Sequence, residues 1–191
     1  MASPRLSHGA AVLGVCVAVG VLLTLCDRYA HVQFGVLAYD EPVFNGQAWW
    51  VLPNFIGAAL GMYLGAKFVF LRYLSGATRG EMAFSLGWFI AADFATGLFW
   101  QQPLWLALGL SLAWLLRLVA ARDRGVTVGY SLVLAAIGVL MEGGLSSLTG
   151  FAYASPDFFN VPCWLPALYL NGAFLVLQIV HRVEARYARA D

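Results

Sequence analysis

Six long hydrophobic segments run along the chain, separated by short polar connections. Read in windows of about 19 residues, they lie approximately at residues 9–26, 48–70, 82–99, 104–119, 126–148 and 164–180. Each segment is hydrophobic around nearly its whole circumference rather than along one face, which is typical of helices that cross a membrane. The pattern therefore predicts an all-α integral membrane protein, with six transmembrane helices forming a single domain over residues 1–191. It indicates no strands and no internal repeat of about 20–50 residues.

The composition excludes several classes of protein. Hydrophobic residues make up 61% of the chain and charged residues 11%. Soluble domains contain about 45–50% hydrophobic and about 25% charged residues, so a soluble globular protein and a disordered chain are both excluded. The formal net charge of +1 provides no basic surface for phosphate groups, which excludes a nucleic-acid partner.

The basic residues of the connections lie almost entirely on one side of the predicted helices. Arg28 alone falls on the opposite side. The first side carries Arg5, Lys67, Arg72, Arg79, Arg117, Arg122, Arg124, Arg182, Arg186 and Arg189. Because cytoplasmic connections are enriched in Lys and Arg, both termini are predicted to be cytoplasmic, which requires an even number of helices. The preference for Arg over Lys, with the high Ala and Gly content, suggests a GC-rich genome and therefore a bacterial host. We then expect the inner membrane, or the endoplasmic reticulum if the host is eukaryotic.

The first hydrophobic segment and the cysteines each leave an alternative open. Arg5 precedes the segment like the basic region of a secretory signal peptide, but no Ala-x-Ala cleavage site follows, so we expect a retained helix. Cys16, Cys26 and Cys163 lie far apart and lack metal-binding spacing. We expect them to act as small hydrophobic residues, with a Cys26–Cys163 disulfide as the alternative.

Four polar residues fall inside the predicted helices at a similar depth. They are Asn54, Asp93, Glu142 and Asn171. At about 1.5 Å per residue, each lies roughly 9–10 Å from the non-cytoplasmic end of its helix. Since charge in hydrocarbon is costly, three interpretations are open: hydrogen bonds between helices, an anchor for the polar group of a lipid, or a proton or ion relay. Pro53, beside Asn54, would free a backbone carbonyl one turn earlier, which a nearby side chain or a polar ligand could satisfy.

The sequence contains no recognisable catalytic motif. It has no nucleophile elbow, no histidine cluster and no glycine-rich phosphate loop. We therefore expect no enzymatic activity, no cofactor and no metal site.

Two motifs become recognisable once the helices are placed. The first, Ala48-Trp49-Trp50-Val51-Leu52-Pro53, opens the second helix. The second joins Tyr153-Ala154-Ser155-Pro156-Asp157-Phe158 to Trp164-Leu165-Pro166 at the start of the sixth helix. Together they resemble the Insig (insulin-induced gene) family of membrane proteins over about residues 41–182. The residues that carry the resemblance are Trp49, Trp50, Ser155, Pro156, Asp157, Phe158, Trp164 and Pro166.

The resemblance implies a six-helix bundle with cytosolic termini and a non-enzymatic lipid sensor whose ligand sits among the helices. Eukaryotic Insigs bind the escort protein Scap through an aspartate after the fourth helix, where this chain has Ala120. The resemblance therefore does not extend to a Scap-like partner. The glutamine that family members use toward their oxysterol ligand aligns with Pro103, and the adjacent Gln102 becomes a candidate contact.

The sequence thus favours a prokaryotic or divergent Insig-like lipid sensor or regulator. We expect it to bind an amphipathic neutral lipid, sterol-like or diacylglycerol-like, and to form homo-oligomers or to bind another membrane protein. The candidate lipid contacts are Asn54, Asp93, Glu142, Asn171, Pro53 and Gln102. Two alternatives remain: a small proton-linked transporter built around Asp93 and Glu142, and a structural protein whose helix faces dock another membrane protein.

Overall fold

A computed structural model of the protein describes residues 7–188 and contains six long α-helices, as predicted. The helices are α1 (His8–Cys26), α2 (Val51–Gly65), α3 (Arg79–Phe99), α4 (Pro103–Ala120), α5 (Arg124–Leu148) and α6 (Leu165–Tyr187). A π-helix over Asp27–Val32 extends α1, and a π-helix over Ala66–Phe70 followed by a 3-10 turn over Leu71–Tyr73 extends α2. Arg5 and Arg189, used above for the orientation, lie outside the described residues.

Five helical segments of the described chain are long and apolar enough to cross a membrane. They are His8–Val32, Val51–Tyr73, Arg79–Phe99, Pro103–Ala120 and Arg124–Leu148. The remaining helix, α6, has 23 residues and is more polar. It packs against α3, α4 and α5 and also contacts α1 and α2. Because protein rather than lipid surrounds α6, it can carry polar side chains that a lipid-facing helix would not tolerate.

The ends of the bundle differ in structure. The end that carries the connections at residues 74–78 and 121–123 is predicted to face the cytoplasm, and we call it the inner end. The opposite, outer end carries two short strands, β1 (Leu37–Tyr39) and β2 (Phe151–Tyr153), which pair antiparallel. The prediction of no strands is therefore wrong, because a strand of three residues is too short to produce a detectable alternation.

An internal repeat relates the first two helices to the last two. Each repeat consists of a long helix, a strand, a tight loop closed by an isolated bridge, and a second helix. The same number of residues separates each strand, each bridge and each start of the second helix in the first repeat from its equivalent in the second. The equivalent pairs are Leu37–Tyr39 and Phe151–Tyr153, Phe44–Gln47 and Phe158–Val161, and Val51 and Leu165. The spacing of the two repeats is longer than the periods of about 20–50 residues to which the prediction of no repeat applied.

The strand pairing follows the symmetry of the repeat. Ala38 and Ala152 occupy equivalent positions and lie directly opposite each other in the register. An antiparallel pair of equivalent strands, paired at equivalent residues, has a local two-fold axis between them. From the strand to the start of the second helix, five residue types are identical at equivalent positions of the two repeats. They are Ala38, Tyr39, Pro42, Phe44 and Trp50 in the first repeat, and Ala152, Tyr153, Pro156, Phe158 and Trp164 in the second.

Prolines begin several helices rather than interrupting them. Because α2 begins at Val51, Pro53 lies in its first turn, where the backbone N–H groups have no partner within the helix. The first backbone hydrogen bond of the α2 helical pattern is donated by the Asn54 N–H to the Trp50 carbonyl, at 2.9 Å. The expectation that Pro53 frees a carbonyl is therefore wrong. Pro103 and Pro166 likewise lie in the first turns of α4 and α6.

Two glycines on α3 provide a test of how closely this helix approaches the end of α1. A Cβ placed on Gly97 would overlap the Ala30 carbonyl oxygen, whereas one on Gly87 would meet nothing within 4 Å. We predict that Gly97→Ala lowers the free energy of unfolding by about 1–3 kcal/mol, the usual cost of overpacking. Gly87→Ala is the control and should be neutral or stabilising by up to about 1 kcal/mol. Thermal unfolding in detergent, followed by tryptophan fluorescence, measures both; equal midpoints for the two variants would contradict the close approach.

Candidate functional site

The four polar residues predicted to share one layer do not form one cluster. Asp93 and Glu142 belong to a group of ionisable and hydroxyl side chains near the outer end. Asn171 is fully buried elsewhere in the core, and Asn54 is half-buried on α2. Their polar environments therefore differ and are described separately below.

The group around Asp93 and Glu142 is called the carboxylate cluster here. Its members are Asp27, His31, Asp93, Thr96, Glu142, Tyr39, Tyr153 and Tyr169. They come from α3, α5, α6, both strands and the π-helical turn after α1. The cluster thus joins both repeats to the helix hairpin between them.

His31 lies at the centre of three neighbours. Its Nε2 atom is 2.8 Å from Thr96 Oγ1 and 3.9 Å from Asp93 Oδ1, and its Nδ1 atom is 3.6 Å from Asp27 Oδ1. Thr96 donates its own hydroxyl hydrogen to the Asp93 carbonyl at 2.5 Å. The hydrogen bond to Thr96 therefore requires that His31 Nε2 carries a proton. Asp93 Oδ2 is buried with no hydrogen-bond partner among the described residues.

The two strand tyrosines make equivalent hydrogen bonds in the two repeats. Tyr39 donates to Asp27 Oδ2 at 2.9 Å, and Tyr153 donates to Glu142 Oε2. Burial raises the pKa of both phenols, and the neighbouring carboxylates, Asp27 and Glu142 respectively, raise it further. Both phenols therefore stay protonated and remain donors at neutral pH. Each bond ties a strand to the long helix that precedes it.

The Asp27 and Glu142 carboxylates each accept a hydrogen bond from one further side chain. Gln47 donates to Asp27 Oδ2 at 2.6 Å and to the Thr24 carbonyl at 2.9 Å. Tyr169 donates to Glu142 Oε1, and a Cβ on Gly138 would overlap the Tyr169 ring. Glycine at 138 therefore makes room for the ring whose hydroxyl reaches Glu142. For Glu142, this geometry favours hydrogen bonding within the bundle among the three interpretations. Asp93 is 3.9 Å from His31 and has one carboxylate oxygen without a partner among the described residues, so its interpretations stay open.

Asn171 joins three helices through its amide group. Its Nδ2 donates to the Leu110 and Ala167 carbonyls at 2.9 Å each, and its Oδ1 accepts from Trp88 Nε1 at 3.0 Å. These bonds use both amide hydrogens and the side-chain oxygen. Asn171 therefore fixes α3 and α4 against α6.

Two cavities lie between α3 and α4, and both touch Trp88 and Ala113. The outer cavity has a volume of about 430 Å³ and an almost entirely apolar wall. Its remaining lining residues are Ala91, Ala92, Ala95, Phe99, Gln102, Trp105, Leu106, Gly109 and Leu110. Ligand pockets commonly have volumes of roughly 300–1,000 Å³, so this cavity is large enough for part of a lipid.

Of the six candidate lipid contacts, Gln102 alone lines either of these two cavities. Gln102 is the exposed residue that precedes α4, at the outer end of the cavity. Asp93 and Asn171 lie on helices that form the walls, without reaching the space themselves. Pro53 is exposed on α2, outside both cavities.

The motif residues mainly shape the outer loops. Trp164 is fully buried, with its ring 6.0 Å from His31 and 6.1 Å from Tyr153, whereas Trp49 is exposed. Asp157 accepts a hydrogen bond of 2.7 Å from the backbone N–H of Cys163. The other motif residues are Trp50, which packs on the Tyr39 and Phe151 rings, Pro166 in the first turn of α6, and the exposed Ser155, Pro156 and Phe158.

All three cysteines are free thiols, so the Cys26–Cys163 disulfide does not form in this structure. Sequence analysis also missed Asp27, His31 and Gln47. The signal was present in Asp27 and His31, which are four residues apart on one face of a helix. They follow the predicted end of the first hydrophobic segment and were therefore assigned to a loop.

No protein-family model and no curated protein matches the chain. Two solved structures match its fold over nearly its whole length. The mycobacterial Insig homologue MvINS from Mycobacterium vanbaalenii superposes with a TM-score of 0.81 at 20% sequence identity, covering 96% of this chain and 98% of that chain. A cross-linked MvINS trimer carrying an introduced cysteine gives 0.78 at 19% identity, covering 97% of this chain and 98% of that chain. The chain therefore has the predicted Insig-like six-helix fold.

The strand tyrosines provide a test of the carboxylate cluster. Tyr39→Phe and Tyr153→Phe each remove one donor from a carboxylate that keeps one other, Gln47 and Tyr169 respectively. We predict that each substitution lowers the free energy of unfolding by about 1.5–3 kcal/mol, the range for hydrogen bonds to charged groups. Because the positions are equivalent, the two losses should be similar.

The matched control is Tyr29→Phe, which removes the hydroxyl of a half-exposed tyrosine. Surface changes of this kind usually alter stability by less than about 0.5 kcal/mol. Thermal unfolding midpoints of the three variants decide the question. Midpoints of the two strand variants that match the control would show that these hydrogen bonds do not stabilise the fold.

Proposed function

We propose that the protein binds an amphipathic neutral lipid in the outer cavity and acts as a membrane lipid sensor rather than as an enzyme. The ligand is sterol-like or diacylglycerol-like: a large apolar body that bears one or two hydroxyl groups. The observation that carries the proposal is the apolar cavity between α3 and α4, with the Gln102 amide beside its outer end. The Insig-like fold supports the same class of function.

The small residues on the facing helices create the space for the ligand. Ala91, Ala92 and Ala95 on α3 face Gly109 across the cavity. Small side chains on helices that pack side by side leave room that larger ones would fill. The apolar body of the lipid gains little free energy on entry, because it leaves another apolar phase. Selectivity must therefore come from shape and from the polar group at the outer end.

Within this proposal, Gln102 contacts the lipid hydroxyl, and the other candidates act through the helices. Asn171 holds α3 and α4 at their present separation through Trp88 and Leu110. Asp93 and Thr96 lie beside His31 and so pack α3 against the first repeat, whereas Glu142 joins α5 to β2 and α6. Pro53 and Asn54 help to begin α2 and make no contact with the ligand.

We further propose that the protein forms a homo-oligomer and that it resides in a bacterial inner membrane. The solved structures include a cross-linked trimer of MvINS, and extended hydrophobic faces of this chain are exposed. Light scattering of the detergent-solubilised protein distinguishes a monomer from a trimer.

A proton-linked transporter is the second candidate function. Two observations favour it: parallel internal repeats occur in transporters, and the buried Asp93 Oδ2 lacks a partner among the described residues. Proteoliposomes with an imposed pH gradient test this candidate. Solute-coupled proton flux that Asp93→Asn abolishes would favour transport over lipid sensing.

Gln102 and Gln101 form a matched pair for testing the lipid site. Both are exposed and adjacent, but only Gln102 lines the outer cavity. We predict that Gln102→Leu weakens the binding of diacylglycerol about 2- to 13-fold, the equivalent of one hydrogen bond of about 0.5–1.5 kcal/mol. Gln101→Leu should leave the affinity unchanged. Competition binding of a labelled diacylglycerol in detergent micelles measures both, and equal affinities for the two variants would refute the assignment of Gln102.

A further inference from the structure

The inner cavity has a volume of about 450 Å³ and a different character from the outer one. It lies at the inner end between α3, α4, the start of α5, and α6. Its wall is mostly apolar but includes Arg117, Gln178 and His181. The other polar and charged residues of its wall are Glu81, Ser85, Arg122, Asp123 and Thr127. Together these side chains distinguish it from the outer cavity.

Arg117 points into the bundle rather than toward the cytoplasm. It lies in the last turn of α4, and side chains on a helix lean toward the N-terminal end of that helix. Because α4 begins at the outer end, this direction carries the guanidinium into the membrane. The group donates to Ser85 Oγ at 2.7 Å and to the Asn171 carbonyl at 3.4 Å, and it lies 4.0 Å from the centre of the Phe174 ring.

These partners of Arg117 are all uncharged. Among residues 7–188, no carboxylate lies within 4.0 Å of its guanidinium. The two acidic residues that line the cavity have other partners. Glu81 pairs with Arg122 at 3.5 Å, and Asp123 accepts hydrogen bonds from the Ser75 backbone, at 2.9 Å, and from the Ser75 hydroxyl. Arg117 therefore presents an uncompensated positive charge to the cavity.

Two other buried atoms of the same cavity lack partners. Gln178 Oε1 and His181 Nδ1 make no hydrogen bond within the described part of the chain. Buried polar atoms in native proteins are nearly always paired. A ligand that satisfies this cavity must offer an anion to Arg117 and a hydroxyl hydrogen to Gln178 Oε1.

We propose that the inner cavity binds the headgroup of an anionic glycerophospholipid that carries free hydroxyls. The phosphate accepts hydrogen bonds from Arg117, and a headgroup hydroxyl donates to Gln178 Oε1. The apolar remainder of the wall, including Phe84, Leu116 and Leu177, favours a lipid over a soluble anion. Basic pockets between helices on the cytoplasmic side are suited to anionic lipid headgroups. This site is separate from the neutral-lipid site and does not depend on it.

The test compares phosphatidylglycerol with phosphatidylcholine of identical acyl chains. Native mass spectrometry of the full-length protein from mixed nanodiscs measures which lipid is retained. The wild-type protein should retain phosphatidylglycerol about tenfold or more over phosphatidylcholine, because both lipids carry the same phosphate but choline offsets its charge and has no hydroxyl to donate to Gln178. Arg117→Gln should reduce this preference to about threefold or less, the share left to the hydroxyl bond with Gln178, whereas Arg72→Gln, at an exposed residue of the inner end that lines neither cavity, should retain it.

Additional measurements distinguish a phospholipid headgroup from a free phosphate ion and from the neutral lipid of the outer cavity. Excess inorganic phosphate should not displace the lipid, and diacylglycerol binding should be the same in Arg117→Gln and wild type. If Arg117→Gln does not fold, Gln178→Leu serves instead and should lower the preference about threefold or more. No headgroup preference in the wild type, an unchanged preference in the variant, or full displacement by phosphate would each overturn the proposal.

Discussion

The structure depends on one constraint: polar groups at membrane depth must find partners inside the protein, because the bilayer core offers no water. Asp27, Glu142 and Asn171 satisfy it with two or three hydrogen bonds each. These bonds connect α5 to α6, and α6 to α3 and α4, and they hold the outer strands to the helices that precede them. The central position of α6 follows from the same constraint, since its polar residues need protein around them.

The internal repeat divides the bundle into two related helix pairs, α1–α2 and α5–α6, and the α3–α4 hairpin that lies between them in the chain. In each repeat a strand tyrosine donates to a carboxylate of the preceding helix, and the two strands pair at equivalent residues. The α3–α4 hairpin lies between the repeats in the chain and has no counterpart in the symmetry. Both cavities border this hairpin. The repeats thus hold the hairpin in place, and the hairpin borders the cavities in which we propose that lipids bind.

The sequence predicted the features that arise from long-range hydrophobicity. Six helices, their approximate limits and the Insig-like fold followed from apolar runs and two motifs. The strands, the repeat and the carboxylate cluster did not, because they depend on short segments and single residues that meet only in three dimensions. Asp27 and His31 were missed because the π-helical turn extends α1 beyond its apolar run. Arg117 was counted correctly as a basic residue near the inner end, but its inward direction depends on where α4 begins and ends.

The position of a bound neutral lipid tests the central claim most directly. A diacylglycerol with a photoreactive group in its acyl chain would be bound to the purified protein, cross-linked, and the labelled peptides identified by mass spectrometry. The account predicts labelling of α3 and α4 residues that line the outer cavity, such as Ala95 and Gly109, and loss of the label when unlabelled diacylglycerol competes. Saturable labelling confined to α2, or labelling that does not saturate, would contradict it.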